Sequence, residues 1–359
     1  MSEKNQDKNQ VAWLALFEKY SIIEKINQEG FFKIKSDQIN KFREARLMTK
    51  FDHSENLPKI FIDNKLSILP ISRGEYIIGH FALYHKFEPF NFSSKIELKK
   101  MPSIESIVSN AITSESVALN CAYISGILQD FLNEKSFLYP TASGRMTSED
   151  FAFNVSNIKN NDSYLIDVSK SQIEIDGTFE GDFSIAIVEA KVDLSNDLLV
   201  RQVYYPYRLF CKKFTKKIRP VFFEYSNGIF YLYEYEFKEL DNYNSIHCVQ
   251  QKRYCIDDYL ISRSEIIEIL NTTLIISESN SKLLPQADKF ERVINLCEIL
   301  QTCELTKEEI TENYAFDKRQ TAYYANSAVY LDLIELNSDY YQLSKIGKKY
   351  FLYLLENVS

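Results

Sequence analysis

The sequence predicts a mixed α/β protein: a mixed β-sheet core flanked by helices, an N-terminal α+β domain before it, and a C-terminal domain of helices with a short two-stranded wing. Three observations predict this. The chain has 359 residues, room for two or three domains at roughly 100–200 residues each. The stretch "IEIDGTFEGDFSIAIVEAK", Ile173 to Lys191, alternates as two strands joined by a turn. From about Pro285 the pattern changes to helices followed by a hairpin. The expected divisions are a flexible tail at 1–10, an N-terminal domain at 11–98, a core domain at 99–280 and a C-terminal domain at 285–357.

Composition narrows the function classes. Hydrophobic residues make up 45% and aromatics 14%, so the chain can bury a sizeable core. A net charge of −8 argues against a passive nucleic-acid coat, although a local basic face would still act within about 10 Å at ordinary salt. The six cysteines form no CxxC pair and the four histidines no HExxH, which argues against zinc. Scattered cysteines fit reduced thiols in a cytoplasm. No export signal and no run of about 18 apolar residues is present, so neither secretion nor a membrane span is expected.

In the N-terminal domain "WLALFEKYSIIEKI" reads as helix, "GFFKIKSDQI" and "KIFIDNKLSILPI" as short strands, and "RGEYIIGHFALYHKF" as a strand or strand pair opening at Arg73-Gly74. Arg43, Arg46, Lys50 and Arg73 are candidates for a phosphate-binding surface, with a solvated mixed-charge face as the plain alternative. In the core, Pro102 can open one helix. Ser114 can cap another, with Val117, Cys121, Ile124 and Leu128 as its buried stripe and Glu115 in its first turn. "YPTASGRM" reads as a loop whose small residues would bring Arg145 close to a phosphate or a guanine edge.

The two strands carry the chemistry. Side chains alternate faces along a strand, so Ile185, Ile187, Glu189 and Lys191 share one face of the second strand. In the first, Glu174 and Asp176 share a face, and the hairpin can set Asp176 beside Glu189. Asp182 is a rival first acid but falls in the turn. Two converging carboxylates repel unless a cation lies between them or one is protonated. Mg²⁺, with Mn²⁺ as a substitute, would take Asp176, Glu189 and the Ala190 carbonyl as ligands, and Lys191 would hold an attacking water or stabilise phosphate charge. The plain alternative is a surface hairpin in which Glu189 and Lys191 simply pair.

After Lys191, Ser195 or Asn196 can cap a helix that Leu198, Leu199, Val203 and Tyr207 make amphipathic. No acidic residue occurs from Leu198 to Phe223, whereas Arg201, Arg208, Lys212, Lys213, Lys216, Lys217 and Arg219 do, which makes a local positive surface. "RPVFFEYSNGIFYLYEYEF" is a hairpin turning at Asn227-Gly228, and "RSEIIEILNTTLI" a closing helix. In the C-terminal domain Thr306 and Glu309 have capping-box spacing, and Asp317 caps a third helix. The helices and a hairpin around Asn337-Ser338-Asp339 resemble a winged helix-turn-helix, whose third helix would present Lys318, Arg319, Gln320, Tyr323, Tyr324 and Asn326 to a DNA groove.

Asp176 followed by Glu189-Ala190-Lys191 resembles the PD-(D/E)XK nuclease signature, although Ile175 stands where that signature has proline. Gln202, with Tyr205 and Tyr207, is similar to the Gln/Tyr element that follows the motif in some branches, without its strict spacing. Glu115 matches the place where many members supply a further acid. With "REARLMTKFD", "SGRMTSEDF" and the terminal winged helix, the chain resembles bacterial type II restriction endonucleases. That resemblance implies Mg²⁺-dependent cleavage of double-stranded DNA to 5′-phosphate ends, a homodimer on DNA and a cognate DNA methyltransferase. It implies Asp176, Glu189, Lys191, Glu115 and Gln202 as catalytic residues. Arg46, Arg73, Arg145, Arg201 and Arg208 join the third-helix residues in binding DNA. Rival expectations are a structure- or damage-specific repair nuclease of the same fold and a catalytically silent DNA-binding regulator.

Overall fold

The computed structural model describes residues 8–90, 95–107, 112, 114–256, 262–273, 284–313 and 318–356. The expected tail lies outside them up to residue 7. Lys8–Gln10 already belong to helix α1 (Lys8–Tyr20), and Asn9 is held there by the Arg43 guanidinium, which donates to its Oδ1 at 2.8 Å.

Helix α2 (Ile22–Glu29) follows, then β1 (Phe31–Lys35), α3 (Ser36–Ile39), α4 (Ala45–Thr49), α5 (Lys59–Asp63), β2 (Ser67–Ser72) and β3 (Glu75–Gly79). The three strands form an antiparallel sheet in the order β1-β3-β2. The apolar run "KIFID", expected as strand, is the helix α5. Pro58 stands at its N-cap, and Phe61 is packed edge-on at 4.8 Å from Trp13 and 5.3 Å from Phe17. Ring packing from α1 decides that segment over its β propensity.

The central body begins with β4 (Tyr84–Lys86), β5 (Ile96–Lys99), α6 (Glu115–Ile124) and α7 (Ile127–Phe131). Strands β6 (Tyr139–Thr147), β7 (Phe151–Ser156), β8 (Ser163–Val168), β9 (Gln172–Glu180), β10 (Ser184–Lys191) and β11 (Asp197–Leu199) come next. Helix α8 (Arg201–Lys213), β12 (Lys217–Ser226), β13 (Ile229–Phe237), β14 (Ile246–Ile256) and α9 (Arg263–Thr272) complete it. The fold is mixed α/β, with a seven-stranded sheet in the order β5-β14-β13-β12-β10-β9-β6. Strands β10 and β12 are parallel and α8 crosses between them, as a parallel pair requires. Strand β5, from the segment first assigned to the N-terminal domain, pairs in parallel with β14 at the far edge.

Both faces of the sheet are covered. Ile185 and Ile187 of β10 enter a core shared with α8 and with Leu69, Ile71 and Ile77 of the N-terminal sheet. Ala186, Val188 and Ala190 face α6 and α7. All eight residues of β10 are therefore buried, charged ones included. Three expectations are corrected in this body. "YPTASGRM" is no loop but edge strand β6, tied to β9 through two register shifts. The helix after Lys191 starts only at Arg201, because Asp197–Leu199 pair with β4 instead. The α6 stripe is Ala118, Leu119, Cys121 and Ala122, since the helix ends at Ile124 and turns at Gly126 (φ 77°) into α7. Residues 102–107 form no helix, and the rest of the one expected from Pro102 lies largely outside the described residues.

The C-terminal part contains α10 (Phe290–Ile299), β15 (Leu305–Thr306), α11 (Lys307–Asn313), α12 (Lys318–Tyr330), β16 (Ile334–Asn337), β17 (Tyr340–Leu343) and α13 (Lys345–Glu356) around its own core. Its strands form a small sheet in the order β15-β17-β16. The Thr306–Glu309 capping box is present, while the expected Asp317 cap and the 280–283 boundary lie outside the described residues. Among the described residues no helix is long and apolar enough to cross a membrane.

Candidate active site

The β9–β10 ladder stops at the Gly177–Val188 pair. The next residue of β9, Asp176, replaces the ladder with its side chain: Oδ2 accepts the Ala190 N–H at 2.8 Å. Gly177 beside it lets α6 pack closely, since a Cβ there would lie 2.7 Å from Leu119 Cδ2 and that side chain would have to shift. That close approach carries the N-terminus of α6 over the end of β10. Ser114 caps α6, accepting the Val117 N–H, and Glu115 in its first turn meets Lys191.

Lys191 spends its three donors at this point. Nζ donates to Glu189 Oε1 at 2.8 Å, to the Ala190 carbonyl at 3.1 Å and to Glu115 Oε1 at 3.2 Å. From the first turn of α8, Gln202 Nε2 donates to the same Glu189 oxygen at 2.7 Å, leaving its own Oε1 buried without a partner. Strand alternation put Asp176, Glu189 and Lys191 in one site and the family resemblance added Glu115 and Gln202; the fold brings all five together.

The site is short of positive charge. Burial pushes the Glu189 carboxyl up to about 8; Lys191 pulls it back and Asp176 adds repulsion. Glu115 is raised in the same way, by burial first and then by Asp176 against the opposing Lys191. Burial alone would lower Lys191, but Glu189, Glu115, Asp52 and Asp176 together hold its ammonium well above the ordinary range. With three acceptors around it and these carboxylates nearby, Lys191 is favoured in its charged, hydrogen-bond-donating form.

These residues form one end of a cleft of about 510 Å³ between the N-terminal sheet and the β6–β9–α8 wall. Arg46 on α4, Arg73 in the β2–β3 turn, Arg145 on β6 and Arg201 on α8 line it, so four of the expected DNA-binding residues share the cleft. Arg145 is paired loosely with Glu174 at 3.5 Å, both largely exposed. Arg208 is corrected: it turns away from the cleft, donating to Ala152 O, Tyr204 Oη and Leu240 O and pairing with Asp241 at 2.8 Å.

The third-helix residues lie elsewhere, on α12. Arg319 is exposed, and Gln320, Tyr323 and Asn326 are half-buried. Tyr324 is corrected from a groove-facing residue to a core one: it is 1% exposed and its hydroxyl donates to Asp288 at 2.6 Å. Helical periodicity alone could not tell which face of α12 turned inward. The side chain of Lys318 lies outside the described residues.

Sequence reasoning missed Asp52, which enters the same cleft from the N-terminal segment. Burial raises its carboxyl, but Lys191, Lys50, His53 and Arg201 together more than offset that, and the net shift is downward. It ends the stretch "REARLMTKFD", but nothing there marks it as a site residue, and it lies 124 residues before Asp176 in the chain (176 − 52).

No group of three or more His, Cys, Asp or Glu with metal-ligand geometry occurs among the described residues. The oxygens that converge at the end of β10 are nevertheless those of carboxylates and an amide. Asp176 and Glu189 are oxygen donors beside an unpartnered amide oxygen, and the Lys191 ammonium marks where positive charge is favoured.

Three family models match the chain: Domain of unknown function (DUF6996) over residues 10–78, Domain of unknown function (DUF6997) over 79–255, and Domain of unknown function (DUF7226) over 292–356. No curated protein and no solved structure matches it.

Proposed function

We infer that the chain is a Mg²⁺-dependent endonuclease of the PD-(D/E)XK kind, cutting double-stranded DNA at specific sequences within a restriction–modification system. One observation carries this reading. Asp176, Glu189 and Lys191 meet at the carboxyl end of a buried parallel strand, in a cleft lined by Arg46, Arg73, Arg145 and Arg201. A structural ion pair needs neither the surplus carboxylates nor the arginine-lined opening.

Asp176 and Glu189 would hold the cation, with the Ala190 carbonyl beside them; Mn²⁺ fits the same oxygens. When bound, the cation supplies Lewis acidity and lowers the pKa of a coordinated water. Gln202 fixes the Glu189 carboxylate by its 2.7 Å hydrogen bond. Lys191, kept protonated, would donate to an attacking water or to a non-bridging phosphate oxygen and offset the charge that develops on phosphorus. Glu115 holds the ammonium in place from α6. The four arginines would grip the DNA backbone and, at base edges, favour guanine. The C-terminal helices and hairpin support a winged-helix reading, with the exposed Arg319 at the start of α12 as a backbone contact. A homodimer would place one site on each strand, and a cognate methyltransferase would protect the host.

The test is digestion of unmethylated and methylated plasmid DNA with Mg²⁺ and with EDTA, by the wild type, Glu189→Ala and Lys191→Ala. Discrete fragments that need the cation and vanish in both variants are expected. Absence of cleavage on every substrate, with DNA still bound, would leave a DNA-binding regulator. Cleavage indifferent to sequence would shift the reading to a repair nuclease.

A further inference from the structure

Strand β9 reaches from Gln172 to Glu180, but β10 pairs only with its Gly177–Glu180 end. The other end, Gln172–Ile175, pairs in antiparallel fashion with Gly144–Thr147 of β6. Among the described residues no third strand joins it there, so β6 and β9 leave the sheet as a two-stranded ribbon. Its two faces differ. Met146, Ile173 and Ile175 pack into the core shared with α8. Arg145, Thr147, Gln172 and Glu174 are exposed. Gln172 and Glu174 fall on the same face of β9 as Asp176, and all three line the cleft.

This face is built differently from the rest of the cleft. Arg46, Arg73 and Arg201 carry only donors, which suits phosphate oxygens. Glu174 stands in the same cleft with its side chain 59% exposed, loosely paired with Arg145 at 3.5 Å. An ionised carboxylate only accepts hydrogen bonds, so it finds nothing to bond on a phosphate. Beside it Gln172 offers a donor and an acceptor together. Base edges in the major groove present donors as well as acceptors, and that groove admits a two-stranded ribbon.

We propose that the polar face of the β6–β9 ribbon reads base edges in the major groove of the bound DNA, Gln172 taking adenine and Glu174 cytosine, while Arg145 beside them holds the backbone. This rests on the nuclease reading and names the specificity residues of that site. The pairings follow from geometry: a glutamine amide bonds adenine N6 and N7 together, and a carboxylate accepts from cytosine N4. Side chains two residues apart on a strand lie about 7 Å apart, or about two base steps, so the two bases read should be separated by about two base pairs.

The test is to cut random-sequence DNA with the full-length protein and Mg²⁺ and to sequence the fragment ends. The wild type is expected to give a consensus. Gln172→Ala should lose a preference of about ten- to hundredfold at one base pair, and Glu174→Ala at another about two base pairs away. Both side chains are exposed, so both variants should melt within about a degree of the wild type. The wild-type consensus in both variants, at whatever rate they cut, would overturn this inference and leave the nuclease reading standing. So would a variant that melts normally but cuts no site, since that places its residue in the cutting step. Cleavage by the wild type without any consensus would also overturn it. A wild type that cuts nothing would overturn both readings.

Discussion

At one end of the β10–β12 pair Arg219 lies against Glu234; at the other Lys191 lies among carboxylates. Both clusters are buried in the same sheet, and they follow opposite rules. Arg219 donates to the two Glu234 oxygens at 2.6 and 2.7 Å and to Leu132 O at 2.7 Å, while Gln250 Nε2 bonds Glu234 at 2.7 Å and Phe131 O at 2.8 Å. One cation meets one anion in a bidentate fork, and the network is closed. Around Lys191 the carboxylates outnumber the ammonium, and Gln202 Oε1 and Arg201 Nε are left buried without partners. A network that only holds a fold gains by closing. One left open and like-charged costs stability, and such sites concentrate where a ligand binds.

The largest expected effect tests that contrast directly. Asp176→Asn should cut DNA cleavage roughly a hundred- to thousand-fold, the loss typical of removing one transition-state stabiliser. Its melting temperature in cation-free buffer should stay level or rise, because a repelling charge is gone. Arg219→Met should do the reverse. It strands Glu234 in the interior, at about 3–5 kcal/mol of stability, while the fraction that remains folded still cuts. Thermal melts and cleavage rates of the two variants decide it. Equal destabilisation by both would erase the distinction between an open and a closed cluster.

How far the two clusters could be read from the sequence follows from what fixes each. Period-two alternation sufficed to bring Glu189 and Lys191 to one face, and the Asp176–Glu189 hairpin is local. Asn227-Gly228 turns the chain as its composition demands, with φ of 52° and 73°. The Arg219–Glu234 fork was not legible, because a basic run shows only the excess of one sign and not which arginine finds an acid on the neighbouring strand. Asp52 and the Arg208–Asp241 pair were hidden for the same reason: their partners are distant in the chain. Strand β6 was hidden by its own residues, since Thr-Ala-Ser-Gly-Arg lacks strand formers and Gly144 sits at φ 93°, a conformation edge bulges use. Helix α8 was misplaced because Leu198 and Leu199 suit a helix as well as the strand pairing they adopt with β4.

A third buried carboxylate sharpens the comparison at intermediate size. Glu224, opposite Lys191 in the β10–β12 register, is 2% exposed and accepts the Ser195 N–H and hydroxyl, both at 2.8 Å. Burial raises its carboxyl to about 8; the Ser195 bonds and Arg292 oppose this, and Asp193 adds to it. The folded protein then holds a proton that the unfolded chain releases near the ordinary carboxyl value of 4.5, so stability falls as pH rises from there through about 8. One such proton changes stability by at most about 1.4 kcal/mol per pH unit. Glu224→Gln keeps the acceptor oxygen and cannot titrate, so urea denaturation at pH 5.5 and pH 8 should show a flatter loss than in the wild type. An unchanged slope would mean that hydrogen bonds alone suffice to hold this carboxylate ionised.

The smallest effect separates the two kinds of arginine. Arg145 is 57% exposed and its pairing with Glu174 at 3.5 Å is a surface one, worth no more than about 1 kcal/mol. Arg145→Ala should leave the melting temperature within about a degree. If the cleft binds a DNA backbone, it should also lower the slope of log affinity against log salt by about one, measured in EDTA so that nothing is cut. Arg208, 10% exposed and bonded to three backbone or hydroxyl oxygens and to Asp241, should behave in the opposite way. Arg208→Ala loses stability, and the salt slope stays at the wild-type value. A reduced slope in Arg208→Ala, or none in Arg145→Ala, would place the DNA path on the far side of α8 and away from the Lys191 cluster.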